Sequence, residues 1–223
     1  MMKPNISLEE FQEFNKKMYK VVDDRNYSNT DLASYVLRHV TQVLKAVRKV
    51  KYDNIGYHLC MAFSWSSAIA NRFHIDLAKE IWKRFPGICP YCSGAPCVCK
   101  ERSKERQLLT EKSNGIQPAS LLAWQKMFAG IYPGNTIQGS AMHLAEEIGE
   151  LNETVRNYLA THNKDWFDKI IEELVDVVSN LFGVANCLSF DLGAQSAYYF
   201  KHGCPKCHQN PCNCGYVSVD QPT

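Results

Sequence analysis

Cys89-Pro90-Tyr91-Cys92-Ser93-Gly94-Ala95-Pro96-Cys97-Val98-Cys99 is followed, 115 residues later, by Cys204-Pro205-Lys206-Cys207-His208-Gln209-Asn210-Pro211-Cys212-Asn213-Cys214. Both stretches read C-P-x-C-x4-C-x-C with a proline before the third cysteine. Held at that offset, the match continues upstream: Phe85 falls on Phe200, Asp76-Leu77 on Asp191-Leu192, Ala70-Asn71 on Ala185-Asn186 and Leu59 on Leu174. Further back the offset becomes 104 (Arg38-His39-Val40 against Met142-His143-Leu144) and then about 113 (Phe11-Gln12 against Trp124-Gln125), as expected of copies that differ in loop length. The chain therefore reads as an internal duplication of a unit of about a hundred residues, one small domain's worth.

The whole chain has 223 residues, 45% of them hydrophobic and 22% charged, enough for one or two cores. Its net charge of +2 gives no support to duplex DNA or an anionic membrane as partner. No apolar run approaches the roughly 20 residues of a membrane span. Met1-Met2-Lys3-Pro4-Asn5 leads into a polar helix rather than a signal peptide, so a cytoplasmic protein is expected. In a reducing compartment ten cysteines point to metal rather than to a disulfide framework. Four thiolates within 11 residues suit one tetrahedral Zn2+ per cluster, two structural ions in all, ligated by Cys89, Cys92, Cys97 and Cys99 and by Cys204, Cys207, Cys212 and Cys214. Spacing alone leaves redox chemistry and an Fe–S cluster open. His208 lies between ligands and could replace one, whereas Cys60 and Cys187 fall in apolar helices and read as small buried hydrophobes.

Both copies read as helices, with strand signals confined to the short tail Tyr216-Val217-Ser218-Val219. Ser7-Leu8-Glu9-Glu10 forms a capping box, and Pro118 can occupy a helix's first turn. The expected helices are 7–23, 31–52, 55–73 and 75–85 in the first copy and 118–131, 139–161, 165–188 and 190–201 in the second. The fold class is thus all-α: a repeat over 1–86, a knuckle over 87–100, a linker over 101–117, a second repeat over 118–202, a knuckle over 203–214 and a tail over 215–223. The mixed-charge run Lys100-Glu101-Arg102-Ser103-Lys104-Glu105-Arg106 reads as solvated linker or helix start rather than a nucleic-acid patch.

The acids of the second copy carry the chemistry. On 139–161, Leu144, Ile148, Leu151, Val155 and Leu159 form an apolar stripe, with His143, Glu147 and Glu150 along one edge and Glu146 nearer solvent. The next helix is apolar round most of its circumference, and Glu172, Glu173, Asp176 and Asn180 share one narrow strip on it. Two helices that each offer carboxylates at i, i+3 beside a buried face build metal sites in helical bundles. Clustered carboxylates repel and call for a hard cation, Mg2+ or Mn2+, with positions left for water and phosphate. Asn180, one turn from Asp176, could hydrogen-bond a phosphate, a sugar or a metal-bound water.

Glu146-Glu147-x-x-Glu150, then 22 residues, then Glu173-x-x-Asp176 resembles the EExxE…ExxD signature of the MazG-like all-α nucleoside triphosphate pyrophosphohydrolases. Val184-Ala185-Asn186-Cys187-Leu188-Ser189-Phe190-Asp191-Leu192 is similar to the segment after that family's third helix, and the likeness covers roughly 118–201. It implies cleavage of a nucleotide between the α and β phosphates, releasing a monophosphate and pyrophosphate. Glu147, Glu150, Glu173 and Asp176 would hold Mg2+, with Glu147 or Glu150 as general base. Glu146, Glu172, Asn186, Trp124, Gln125 and Lys201 are further candidates for substrate contact, Lys201 being the nearest match to the family's basic residues. The resemblance also implies paired repeats, here a pseudo-dimeric bundle within one chain, and such chains could pair again as homodimers.

In the first copy Glu146, Glu147 and Glu150 fall over Gln42, Val43 and Ala46, and Glu172, Glu173 and Asp176 over Tyr57, His58 and Met61. With every acid gone, that copy should be structural or regulatory. Tyr57, His58, Met61 and Trp65 suggest either a nucleobase-stacking face or plain core packing. The competing functional class is a non-catalytic nucleotide sensor, or a zinc-dependent interaction module whose knuckles dock a protein or nucleic acid.

Overall fold

The structure, a computed structural model, describes residues 2–99 and 115–215, in which there are eight helices and no strand. The first repeat contributes α1 (Leu8–Asn26), α2 (Asn29–Lys49), α3 (Ile55–Arg72) and α4 (Leu77–Arg84). The second contributes α5 (Leu121–Ile131), α6 (Ile137–Thr161), α7 (Lys164–Cys187) and α8 (Leu192–Tyr199). The charged run from Lys100 and the tail Tyr216–Val219 lie outside the described residues.

Side-chain caps fix where the helices begin. Ser7 with Glu10 and Ser28 with Asp31 form complete capping boxes on α1 and α2. Pro118 is not in the first turn of α5: the hydroxyl of Ser120 accepts from the Ala123 N–H and starts the helix at Leu121. In the same way Asp76 and Asp191 accept from Lys79 and Ala194, which moves the starts of α4 and α8 to Leu77 and Leu192. Thr136 caps α6 about two turns upstream of Leu144, where the apolar stripe begins.

The helices that are apolar nearly all round, α3 and α7, lie at the centre. Each packs against the long helix before it, and the two pairs meet through α2 against α6 and α3 against α7. The helices α1 and α5 cover their own repeat's α3 and α7. The short terminal helices cross over instead: α4 packs on α7 and α8 on α3. At Gly56, on α3, an added Cβ would overlap the ring of Phe190, which arrives from the other repeat. No single helix among the described residues is long and apolar enough to cross a membrane; α7 and α8 together pass that test but are bent by 97°.

The crossover is reciprocal. Phe85, just past α4, meets Phe128 of α5 with ring centroids 5.2 Å apart. Phe200, just past α8, meets Phe11 and Phe14 of α1. The N–H of Cys97 donates to the carbonyl of Ile131 at 2.7 Å, and that of Cys212 to Met18 at 2.8 Å. Met18 and Ile131 stand 113 residues apart, the offset that relates the first helices of the two repeats. Each repeat therefore places its knuckle on the other's first helix.

Candidate functional site

Glu147 of α6 and Glu173 and Asp176 of α7 each present a carboxylate oxygen within 4.8 Å of the other two. Their helices pack along their length, and the apolar faces carry the acids inward with them; Asp176 is only 8% exposed. Burial, followed by repulsion from Asp176, Glu173 and Glu150, pushes the Glu147 carboxyl up to about 8. The same two influences, burial first, raise Glu173 to about 7. Glu150 is exposed and outside the trio, but its carboxylate is close enough to Glu173 to help raise that carboxyl. Three carboxylates from facing helices form a donor set for a hard divalent cation.

A cleft of about 340 Å³ opens beside the trio, with Glu147, Asp176, Asn180 and His143 among its lining. The first repeat supplies the opposite wall: Arg84 and Phe85 at the end of α4, then Tyr91, Cys89, Cys97 and Cys99 of the first knuckle. Arg84 forms an ion pair with Asp176 and donates from Nη1 to the carbonyl of Glu172 at 3.0 Å. Sequence reasoning missed this residue because its partners lie in the other repeat. Only the crossover of α4 brings it there.

The remaining candidates separate. Asn180 lines the cleft, and its Nδ2 donates to the Asp176 carbonyl. Glu146 is turned outward and bonded to His143 at 2.9 Å, and Glu172 offers Arg84 its backbone. Trp124 is fully buried, edge-on to Trp82, which removes it as a base contact. Gln125 is structural too: its amide donates to Phe190 O and Asn186 Oδ1 and accepts from Leu192 N–H. Asn186 borders the cleft, yet both ends of its amide are engaged with Gln125. Gln12 and Asn71 make the same contacts in the first repeat, with Ile75 and Leu77 as backbone partners. Lys201 lies exposed past α8 and does not line the cleft, whereas Arg84 does.

In the first repeat the positions of the acids are occupied by packing. Tyr57 meets Tyr199 edge to face at 5.4 Å, and His58 bonds to His39, Nδ1 to Nδ1, at 3.1 Å. Trp65 stacks on Tyr35 with centroids 4.5 Å apart. None of Tyr57, His58, Met61 and Trp65 lines the cleft, so the packing alternative fits them.

Both cysteine clusters can hold a metal ion. The sulfurs pair at 3.8 Å (Cys89 with Cys99, Cys92 with Cys97, Cys204 with Cys214, Cys207 with Cys212). A tetrahedron with metal–sulfur bonds of about 2.3 Å has edges of about 3.8 Å. One ion fits this spacing, whereas an Fe–S cluster spreads its cysteines over several irons. The N–H of Val98 donates to Cys92 and holds that thiol down to about 6. Against its burial, the N–H groups of Asn213 and Gln209 bring Cys207 down to about 7. Tyr132 and Tyr19, equivalent residues of α5's end and α1, lie beside Cys89 and Cys204, and burial followed by those thiols pushes both phenols up. His208 is not a ligand: it is exposed at a left-handed turn position (φ 57°) matching Ser93 (φ 56°). Cys60 is buried as expected, but Cys187 is only half-buried and borders the cleft, its thiol directed to the Asn135 carbonyl. No protein family, curated protein or solved structure matches the chain.

Proposed function

We propose that the second repeat is a Mg2+- or Mn2+-dependent nucleotide pyrophosphohydrolase, on a pair of MazG-like repeats whose knuckles each hold Zn2+. The observation that carries this reading is the convergence of Glu147, Glu173 and Asp176, three acids of the EExxE…ExxD pattern, beside one cleft. The volume of about 340 Å³ lies within the usual range of small-ligand sites. Reciprocal docking of the repeats supports a covalent counterpart of a dimer, with one acidic site and one that has lost its acids. Ten unpaired cysteines fit a reducing compartment such as the cytoplasm.

A bound Mg2+ neutralises triphosphate charge and lowers the pKa of an attacking water. Glu147, Glu173 and Asp176 would hold it. Glu150, next to Glu173 but outside the trio, accepts the proton of the water that attacks phosphorus. The bond between the α and β phosphates breaks, leaving a monophosphate and pyrophosphate. Asn180 is the side chain placed along the cleft to hydrogen-bond a sugar or phosphate oxygen.

The test is pyrophosphate release from a panel of canonical and modified nucleotides with Mg2+ or Mn2+. Release is expected from at least one of them, and Glu147→Gln should lower it by about 100-fold or more while the helical circular dichroism is unchanged. Silence across the panel would favour a nucleotide sensor or a zinc-dependent interaction module.

A further inference from the structure

Among the described residues that line the acidic cleft Arg84 is the one arginine or lysine, and it comes from the repeat without acids. Its side chain is 11% exposed, its terminal nitrogens reach Asp176 and the Glu172 carbonyl, and its Nε is buried without a hydrogen-bond partner. The duplication provides an internal control. The offset of 115 lays Arg84 on Tyr199, Glu172 on Tyr57 and Asp176 on Met61. There the terminal helix docks through the edge-to-face contact of Tyr199 with Tyr57 and no charge is involved. Docking therefore does not require an arginine. Where the acids are kept an arginine faces them, and where they are lost it is lost.

We propose that Arg84 is the counter-ion of Asp176 that a divalent cation displaces, and that once displaced it becomes a phosphate ligand. It neutralises Asp176 until a divalent cation enters, gives the carboxylate up, and then binds a phosphate oxygen of the pyrophosphate group. The inference rests on the metal-dependent reading above. Two cations cannot share one buried carboxylate at full strength, because they repel each other where screening is weak. A guanidinium released from Asp176 has its planar fork of donors, with Nε still unspent, and that fork matches phosphate oxygens. The metal thus displaces Arg84 toward the ligand, so metal and phosphate bind cooperatively.

The test uses the full chain, Mn2+ as the metal and inorganic pyrophosphate as the ligand, with Mn2+ uptake read by electron paramagnetic resonance. Association of Mn2+ with pyrophosphate in free solution is measured separately. Without pyrophosphate, Arg84→Gln should bind Mn2+ about tenfold more tightly than wild type, since the competitor is gone. Its Mn2+-loaded form should hold pyrophosphate about tenfold more weakly. Arg84→Lys keeps the charge and the fold but not the fork, and should lower pyrophosphate affinity even if the glutamine variant fails to fold. Unchanged Mn2+ affinity in Arg84→Gln, or unchanged pyrophosphate affinity in both variants, overturns the role of Arg84 and leaves the metal site standing. Absence of Mn2+ uptake in wild type and variants, or uptake indifferent to Glu173→Gln, overturns the metal-dependent reading and this proposal with it.

Discussion

Gln12 and Gln125 each close the gap between the first helix of their repeat and the start of its last. Gln125 is 3% exposed and satisfies a buried N–H, at Leu192, and a carbonyl, at Phe190. Removing the amide strands both groups, at about 1–3 kcal/mol for each buried partner left unpaired. Gln125→Ala should therefore lose about 2–3 kcal/mol of stability in urea titrations, and Gln12→Ala a comparable amount. An intact urea midpoint with weakened nucleotide binding would restore Gln125 as a ligand contact. In the sequence, a lone amide on the apolar face of a short helix looks like a site residue, because its backbone partners lie more than sixty positions away. The carboxylates were legible for the opposite reason. Their spacing is local to two helices: helical periodicity puts them along one edge of each, and the resemblance of the pattern singles them out.

At the scale of elements, the knuckles were readable as metal clusters because all four ligands lie within one turn-rich segment. Where they dock was not readable. The first knuckle seats its Cys97 N–H on Ile131 and receives Tyr132 at Cys89, both from the second repeat, and its outer side borders the acidic cleft. The second knuckle makes the equivalent contacts on Met18 and Tyr19, beside a face filled by Tyr199, Tyr57 and Phe200. The two ions should therefore be alike in stability and unlike in function. Elemental analysis should give about two zinc per chain. Cys92→Ser and Cys207→Ser should each lower Tm by on the order of 10 °C, as metal binding is coupled to folding. At temperatures where both variants stay folded, only Cys92→Ser should impair pyrophosphate release, because only that knuckle walls the acids. Equal losses of activity would mean that the knuckles act through stability alone.

At the scale of the molecule, the duplication could be counted from the sequence, but the exchange between repeats could not. The identical spacing of the two cysteine clusters says that two units exist; which of them α4 and α8 cover is decided by packing across their common face. The same gap in the sequence hid Arg84, whose partners belong to the other unit. The exchange makes each repeat an incomplete body. A separated first repeat would expose the face of α2 and α3 that meets α6 and α7, the apolar side of α4, and a knuckle with no helix beneath it. Large exposed apolar patches of this kind lead to aggregation or association. Residues 1–99 and 115–223 expressed apart should accordingly be poorly soluble and lack the cooperative thermal transition of the whole chain. Expressed together, they should co-purify as a one-to-one complex that keeps the zinc of both knuckles and the acidic cleft. An independently folded, monomeric second half with full metal binding would show that the first repeat neither builds nor completes the site. An inactive complex that regains pyrophosphate release only when the halves are joined would locate the requirement in the connection rather than in the contacts of α4 and its knuckle.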